Sequence, residues 1–371
     1  MKKYILLAVA VILVLVFAIK TNNSNKKSSD SQTIKLGAII SETGVAAAFG
    51  EMSHKGIALA VKEINNNGGI DGRKVEVVYE DDQTDPKVSS GLFQKVTGVN
   101  KVDAIIGSNF DFVTQPLFSL AKTNKVVVVS PSNPRIPGAF DTNEYSFVMM
   151  TEFDSIVRNL KKYLENEKYE QLGILRFESS FAEQIQTSLN DVQKEMGKKP
   201  IISETYKQIG NNDFKTQILK LKNSKVDLVF LDMIGPDPVT FINQSRQLGY
   251  SPKIITHIGI QDALAMKDID QKILEGIVLI NWNESPSVFK DKFTKEYGII
   301  PDKSANRAYD AVYVLSEAVS KATSSESLPY TLRTKEYMTP NGSFGFNANN
   351  SAKDTPILIQ KIKDGRFVMY E

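Results

Sequence analysis

The stretch Ile34–Asp85, IKLGAIISETGVAAAFGEMSHKGIALAVKEINNNGGIDGRKVEVVYEDDQTD, decides the fold of this chain. Its first seven residues form a largely apolar run with the length of a buried strand. A helix is predicted next, because apolar residues recur there at the spacing of one helix face: Ile57, Ala60, Val61 and Ile64. A second strand follows at Val75–Tyr79. Strand, loop, helix and strand make a βαβ unit, and open α/β sheets bind ligands beyond the carboxyl ends of such strands.

The same alternation continues along the chain. Strands are predicted at Asp103–Gly107 and Val126–Val129, with a loop at Ser108–Thr114 and a short helix at Gln115–Thr123 between them. From about Asp154 the pattern restarts, and strands are predicted at the following segments: Leu172–Phe177, Ile201–Tyr206, Val226–Asp232, Lys253–His257 and Glu275–Trp282. Apolar runs without alternation indicate strands buried on both faces. The sequence therefore predicts an α/β protein with two doubly wound parallel-sheet lobes.

Composition excludes several classes of function. The chain has 371 residues, a hydrophobic content of 42%, a net charge of +2 and no cysteine. This length favours two domains, and the small net charge gives no reason to expect a nucleic-acid partner. The absence of cysteine excludes disulfides, thiolate metal sites and cysteine nucleophiles. No cofactor is predicted.

Motifs for catalysis or metal binding are also absent from the sequence. Its two histidines, His54 and His257, belong to no zinc-binding spacing, and each is expected to be a surface or loop residue. Neither GxSxG nor GxxxxGK[ST] occurs. The glycine-rich NGGIDG follows a helix and is expected to form its C-terminal turn. The acidic run Glu80–Asp82 with Asp85 is either a cation site or a strand end followed by a helix N-cap, and the second interpretation is favoured.

The N-terminus has the composition of an export segment. Lys2 and Lys3 precede an apolar run from Tyr4 to Ile19. Such a pattern predicts either a cleaved signal peptide or an uncleaved signal anchor, and the sequence leaves both open. Thr21–Thr33 is rich in Ser, Asn and Lys and reads as a flexible linker. Residues 1–33 are thus excluded from the fold, and the remainder is expected outside the cytoplasmic membrane, touching it only through this segment.

The opening stretch also carries a family resemblance. SETGVAAAFG before a helix, followed by AVKEINNNGGIDGRKVEVVYEDDQTD, resembles the branched-chain amino-acid-binding proteins of ABC transporters, which are type I periplasmic solute-binding proteins. The resemblance covers roughly Ile34 to Val368. It implies two lobes joined by a hinge that the chain crosses three times. Residues 34–150 and 284–342 would form lobe 1, and residues 151–283 and 343–371 would form lobe 2.

The resemblance also implies ligand contacts in the first lobe. Phe49 matches an aromatic residue that packs on the ligand, and the loop Ser108–Thr114 matches one that supplies a serine hydroxyl to the ligand's carboxylate. Asn109 and Asp111 are the candidate contacts in that loop of this chain. An aspartate would repel a carboxylate and favour a cationic or amide ligand, unless it faces solvent at the rim. In the loop that begins at Ser130, Ser132 and Asn133 are the remaining polar candidates, because Pro134 replaces a hydroxyl residue.

The contacts that the resemblance implies in the second lobe are less polar in this chain than the matching residues of the family. Phe181 matches a ligand-facing tyrosine, Ile234 lies near another tyrosine, and Ile258 lies near the glutamate that pairs with the ligand's ammonium group. Isoleucine cannot pair with a cation, and a buried charge without a partner is costly. A free branched-chain amino acid is therefore not the expected ligand.

These observations together predict a monomeric, extracytoplasmic solute-binding protein. It would capture a small organic molecule (amino-acid-like, amide or apolar acid) in the interlobe cleft and deliver it to an ABC transporter permease. A sensor acting through a separate signalling partner is the alternative, and neighbouring permease and ATPase genes would favour transport. Catalysis by the cleft acids Asp111, Glu152, Asp232 and Asp237 would require paired geometry that a sequence does not show.

Overall fold

The computed structural model describes residues 33–131, 143–210, 212–257, 259–260, 263, 270–281, 285–353 and 356–370. Apart from Thr33, the predicted export segment and linker lie outside these residues. Three predicted ligand contacts, Ser132, Asn133 and Ile258, lie outside them as well. Within the described ranges, no helix has both the length and the apolarity that a membrane span requires.

The first sheet contains five described strands, all parallel, in the order β2-β1-β3-β4-β5. They are β1 (Thr33–Ile40), β2 (Lys74–Asp81), β3 (Ala104–Ile106), β4 (Val128–Ser130) and β5 (Ser146–Val148). Strand β1 lies between two neighbours and is buried along most of its length, as its non-alternating apolar run predicts. Strand β5 has no counterpart among the predicted strands.

Three helices connect these strands: α1 (Ala47–Asn66), α2 (Pro86–Gln94) and α3 (Asp111–Asn124). Helix α1 buries the predicted face, including Ile57 and Ala60, and the glycines that follow it adopt positive φ angles in the predicted turn. Helix α2 continues as a π-helix at Lys95–Val99. Helix α3 begins at Asp111, four residues before the predicted start, so Asp111 belongs to a helix N-terminus and not to a loop. An aspartate is favoured in a first turn by the helix dipole.

The second half repeats the architecture. Its parallel strands are β6 (Leu172–Phe177), β7 (Ile202–Tyr206), β8 (Leu228–Asp232), β9 (Lys253–His257) and β10 (Val278–Asn281). The helices of this half are α4 (Phe153–Asn166), α5 (Ser180–Glu195), α6 (Lys215–Asn223) and α7 (Asp237–Gln247). Two α/β units with parallel sheets confirm the predicted fold class.

The described residues of the C-terminal part add three helices, a separate hairpin and two strands of the second sheet. Helices α8 (Ser287–Tyr297), α9 (Lys303–Lys321) and α10 (Leu328–Thr334) precede a hairpin of β11 (Glu336–Thr339) and β12 (Gly342–Gly345). Strand β13 (Leu358–Lys363) then pairs antiparallel with β10, and β14 (Arg366–Met369) pairs antiparallel with β13, which gives the order β14-β13-β10-β9-β8-β6-β7. This antiparallel edge is a feature that the sequence does not reveal.

Helix α9 returns to the first half and packs along α1. The backbones approach so closely that a Cβ atom on Gly56 would lie 2.1 Å from the carbonyl oxygen of Ala305. Only glycine permits this contact. The predicted lobe boundaries remain predictions, because the membership of strands in a sheet does not define where a hinge bends.

Candidate functional site

A cavity of about 100 Å³ lies where the carboxyl ends of strands from both sheets meet. Among the described residues, three regions of the first half and the C-terminal part line it, together with residues at or just after the ends of four strands of the second half. The lining residues are Phe49, Asn109, Phe110, Asp111, Phe112, Phe177, Ser179, Phe181, Tyr206, Asp232, Ile234, His257, Gly259, Lys303 and Ser304. Doubly wound sheets bind ligands at this edge. Two larger grooves, of about 410 and 440 Å³, involve residues at the amino ends of strands and are therefore less suitable candidates.

Aromatic rings dominate the described lining. Phe49 packs edge-on against Phe110 at a centroid distance of 5.6 Å, and Phe110 stacks on Phe112 at 5.8 Å. On the opposite side, Phe177 meets Tyr206 at 5.5 Å in a T-shaped pair. Such contacts hold rings in fixed orientations. The cavity is therefore preformed for a small apolar or aromatic body.

Asp111 is buried in this cavity and does not face solvent. Its exposed fraction is 5%, and its Oδ2 accepts a hydrogen bond of 3.0 Å from the backbone N–H of Phe181. The interpretation of Asp111 as a solvent-facing rim residue is therefore wrong. Burial raises the pKa of its carboxyl group, and the nearby charge of Asp232 acts in the same direction, whereas the N–H groups of Phe181 and Phe112 oppose this rise.

His257 is a second buried polar residue of the cavity. It was expected at the surface or in a loop, but it ends strand β9 with an exposed fraction of 6%. The backbone N–H of Gly259 donates to its Nδ1 at 3.0 Å, so Nε2 carries the proton and donates to Asp232 Oδ1 at 2.8 Å. Asp232 also accepts from the N–H of Phe177 at 3.2 Å. The other histidine, His54, has a side chain that is 41% exposed and stacks on Tyr79, so the prediction for it is confirmed.

Asn109 positions the first loop as well as lining the cavity. Its Oδ1 accepts from the N–H of Ser41 at 3.3 Å, and its Nδ2 donates to Ser53 Oγ at 2.8 Å and to the carbonyl oxygen of Phe49 at 3.4 Å. These bonds join the end of β1 to the start of α1. They therefore set the position from which the Phe49 ring enters the cavity.

Residues of the segment Asp81–Thr84 hold the rest of the loop between β1 and α1 in place. Thr43 donates through its N–H and its hydroxyl to Asp81, at 3.1 and 2.6 Å, and the N–H of Ala46 donates to Thr84 Oγ1 at 3.2 Å. The backbone N–H groups of Thr43 and Ala46 therefore already have partners within the protein.

The structural interpretation of the acidic run is confirmed. Asp81 ends strand β2, and Asp85 caps helix α2 by accepting from the N–H of Lys87 at 2.7 Å. Asp82 is buried and accepts from Ser41 Oγ at 2.6 Å. Among the described residues, no group of acidic or histidine side chains is arranged to hold a metal ion.

The four acids considered for catalysis are not brought together. Only Asp111 and Asp232 line the cavity. Glu152 accepts from the side chains of Asn347 and Asn349, at 2.6 and 3.0 Å. Asp237 is wholly buried and accepts from the N–H of Gly210 at 3.1 Å. Glu152 and Asp237 therefore have structural partners away from the cavity.

Five of the eight predicted contact residues line the cavity: Phe49, Asn109, Asp111, Phe181 and Ile234. Four further lining residues are the last residues of consecutive parallel strands: Phe177, Tyr206, Asp232 and His257. None of these four is a predicted ligand contact, and Asp232 is considered above only as a cleft acid. The signal was available, because the carboxyl end of each predicted strand of a doubly wound sheet points toward the ligand edge.

Comparisons with known proteins agree with this architecture. The chain is 25% identical over 345 residues to the leucine-, isoleucine-, valine-, threonine- and alanine-binding protein of Pseudomonas aeruginosa, covering 90% of each chain. Its fold is similar to that of the branched-chain amino acid transporter substrate-binding protein LivJ of Streptococcus pneumoniae, solved with isoleucine (TM-score 0.77, 24% identity, 90% and 97% of the two chains).

A second solved structure with the same fold is an ABC transporter solute-binding protein of Rhodopseudomonas palustris in complex with 3,4-dihydroxybenzoic acid (TM-score 0.79, 19% identity, 91% and 95% of the two chains). The family described as periplasmic binding protein matches residues 33–366. Since this match spans nearly the whole described chain, the protein belongs to the periplasmic binding protein family.

Proposed function

We propose that this protein is an extracytoplasmic solute-binding protein that captures a small organic molecule in the cavity and delivers it to an ABC transporter permease. The observation that carries the proposal is the cavity itself, which is lined by aromatic residues from both halves of the chain at the carboxyl ends of their strands. A site divided between two lobes is buried when the lobes close around the ligand. Binding and closure need no bond to be made or broken, and we propose no enzymatic activity.

The lining supports a small ligand with an apolar or aromatic body. Relatives are named for binding branched-chain amino acids, and a structure with the same fold holds an aromatic acid. The rings of Phe49, Phe110 and Phe181 offer apolar contact area in this chain. We propose an amino-acid-like molecule, an amide or an apolar acid, bound by a monomer that touches the membrane only through its N-terminal segment.

Screening a metabolite library by thermal shift tests this proposal. A ligand that binds only the folded state raises the midpoint of unfolding, and the rise grows with the ratio of ligand concentration to the dissociation constant. We expect selective stabilisation by small apolar or aromatic molecules. Strong, selective stabilisation by leucine, isoleucine or valine would overturn the expectation that the ligand is not a free branched-chain amino acid, and a response to no small molecule would contradict the function.

Two substitutions of aromatic residues test whether a ligand found by thermal shift binds in the cavity. Phe181→Ala removes a ring from the lining and is expected to weaken the selected ligand at least tenfold. Tyr330→Ala removes a ring that is 68% exposed on α10 and is expected to leave affinity unchanged. Equal effects of the two substitutions would place the binding site elsewhere. Mass spectrometry of molecules that co-purify with the protein supplies the ligand directly.

A further inference from the structure

The carboxylate of Asp111 lies between the N-termini of two helices. Asp111 is the first residue of α3, and Phe181, whose N–H donates to it, is the second residue of α5. The N–H of Phe112 lowers the pKa of the same carboxyl group, although burial raises it overall. N–H groups in the first turn of a helix, together with the helix dipole, make a favourable position for an anion. In this cavity, that position is filled by a side chain of the protein.

Neighbouring donors at the start of α5 are occupied as well. Ser179 Oγ accepts from the N–H of Ala182 at 3.1 Å, and Asp111 accepts from Phe181. At the end of β8, Asp232 supplies a second carboxylate, held by His257 and by the N–H of Phe177. A carboxylate on a ligand would therefore find the first-turn N–H of Phe181 already bound, and two negative groups nearby would repel it.

A ligand with an N–H donor head meets the opposite conditions. A carboxylate has about four acceptor positions on its two oxygens, so Asp111 and Asp232 can each accept a further hydrogen bond. Aromatic faces attract a cation through their quadrupole. The described lining contains one lysine or arginine side chain, Lys303, and two buried carboxylates, Asp111 and Asp232.

We propose that Asp111 occupies the anion-binding position of the cavity, so that the site selects small ligands with an ammonium or carboxamide head and rejects carboxylates. This inference rests on the proposed function and narrows its ligand class by removing the apolar acids. Asp111 is thus a specificity-determining residue that also links the two halves of the chain through Phe181.

Two matched ligand series test the inference on the wild-type protein. Dissociation constants are measured by isothermal titration at pH 7.5 for benzylamine, benzamide and benzoate, and for isobutylamine, isobutyramide and isobutyrate. Each series keeps the body and changes only the head. We expect the better N–H donor of a series to bind at least tenfold more tightly than its carboxylate.

The substitution Asp111→Asn separates ammonium from carboxamide ligands. Asparagine retains an oxygen that accepts from the N–H of Phe181 but lacks the charge. An ammonium ligand should weaken at least tenfold in this variant, whereas a carboxamide should change less than threefold. The control Glu183→Gln removes an exposed charge from the first turn of α5, the helix whose N-terminus faces Asp111, and should leave every dissociation constant unchanged.

Failure of the inference and failure of the proposed function give different results. A carboxylate that binds the wild-type protein as tightly as its amine and its amide overturns the inference and leaves a binding protein. No binding by either series, together with no co-purifying molecule, overturns the proposed function and the inference with it. The wild-type series decides the question even if circular dichroism shows that Asp111→Asn does not fold.

Discussion

Asp310 lies in helix α9 close to the turn between β11 and β12, where its carboxylate accepts a hydrogen bond of 2.9 Å from the side-chain amide of Asn341. The residue is 3% exposed. Burial raises the pKa of this carboxyl group to about 6, although the charge of Arg307 acts in the opposite direction. The turn of the β11–β12 hairpin is therefore hydrogen-bonded to Asp310, an acid whose ionisation is unfavourable in the folded state.

Stability should fall as pH rises through the pKa of Asp310. In the unfolded chain an aspartate has a pKa of about 3.9, so the folded state binds the proton more tightly. The contribution of protonated Asp310 is fully present below about pH 4 and is lost as the pH rises through about 6. Asp310→Asn removes this loss and should increase the free energy of unfolding at pH 7.5 by about 3 kcal/mol, since the pKa is about two units higher in the folded state and each unit corresponds to about 1.4 kcal/mol.

Urea unfolding of the wild-type protein and of Asp310→Asn at several pH values between 4 and 8 checks this expectation. The difference between the two free energies of unfolding should be small near pH 4 and should grow toward pH 7.5. A variant that is less stable than the wild type at pH 7.5 would contradict it, since the charged form of Asp310 would then stabilise the fold.

The two histidines give an internally matched pair of substitutions. His257→Ala leaves the buried carboxylate of Asp232 without the hydrogen bond that His257 Nε2 donates, and unsatisfied buried groups cost about 1–3 kcal/mol, more when they are charged. His54→Ala removes a half-exposed side chain that pairs with Glu42, and exposed pairs contribute about 0.2–1 kcal/mol. We expect the first variant to be destabilised by about 2–3 kcal/mol and the second by less than about 1 kcal/mol.

Denaturant unfolding at pH 7.5 measures both values under one condition. Similar losses in the two variants would show that the Asp232–His257 pair has no special structural importance. Because both residues of this pair line the cavity, His257→Ala should also weaken ligand binding, whereas His54→Ala should not.

Elements with strong local patterns could be predicted from the sequence. Strands β6 and β9 have the bounds that were expected, Leu172–Phe177 and Lys253–His257, because apolar runs are bordered there by polar or turn-forming residues. Strand β5 was missed, since its pairing depends on distant segments: the N–H of Val148 donates to the carbonyl oxygen of Asn350 at 3.0 Å. A three-residue strand held by tertiary contacts has no period of its own.

The candidate site was predictable in position but not in its polar contacts. Phe49, Asp111 and Phe181 were named because they follow strands or match a family pattern. The buried His257 is hydrogen-bonded to Asp232, which lies 25 residues earlier in the chain, and no local sequence pattern predicts this pair. Asp111 was open to a solvent-facing interpretation for the same reason, because its partner, Phe181, is 70 residues away.

Glu167 should stabilise the protein with the opposite dependence on pH. Its carboxylate accepts from the hydroxyl of Tyr370 at 2.7 Å, and it forms an ion pair with Lys253. Burial alone would raise its pKa, but the hydrogen bonds from Lys253 and Tyr370 prevail and lower it to about 2. An unfolded glutamate has a pKa of about 4.3. Its contribution is therefore present above that pH and is lost as the pH falls through about 2.

Glu167→Gln should lower the free energy of unfolding at pH 7 by about 1 kcal/mol, a modest value because Lys253 is half exposed and screened by solvent. The control Glu195→Gln breaks an exposed, solvent-screened pair with Lys161 and should leave the free energy of unfolding nearly unchanged. Acid titrations followed by fluorescence measure the midpoints. An acid midpoint that Glu167→Gln leaves unchanged would argue against the assigned role.

Two helical glycines should respond in opposite directions to replacement by alanine. In helix α1, a Cβ atom on Gly56 would lie 2.1 Å from the carbonyl oxygen of Ala305, so Gly56→Ala must push α9 away from α1. Overpacking of this kind costs about 1–3 kcal/mol. In helix α2, a Cβ atom on the exposed Gly91 would meet no atom within 4 Å, so Gly91→Ala should gain about 0.5–1 kcal/mol from helix propensity.

Thermal unfolding of both variants beside the wild-type protein tests the close approach of α1 and α9. Gly56→Ala should lower the midpoint, and Gly91→Ala should raise it slightly. Because both substitutions add the same methyl group to a helix interior, intrinsic propensity cancels in the comparison, and the difference between them reports the contact with Ala305. A Gly56→Ala variant as stable as Gly91→Ala would mean that α1 and α9 are farther apart than the 2.1 Å approach implies. The close glycine contact would then not explain why α9 packs along α1.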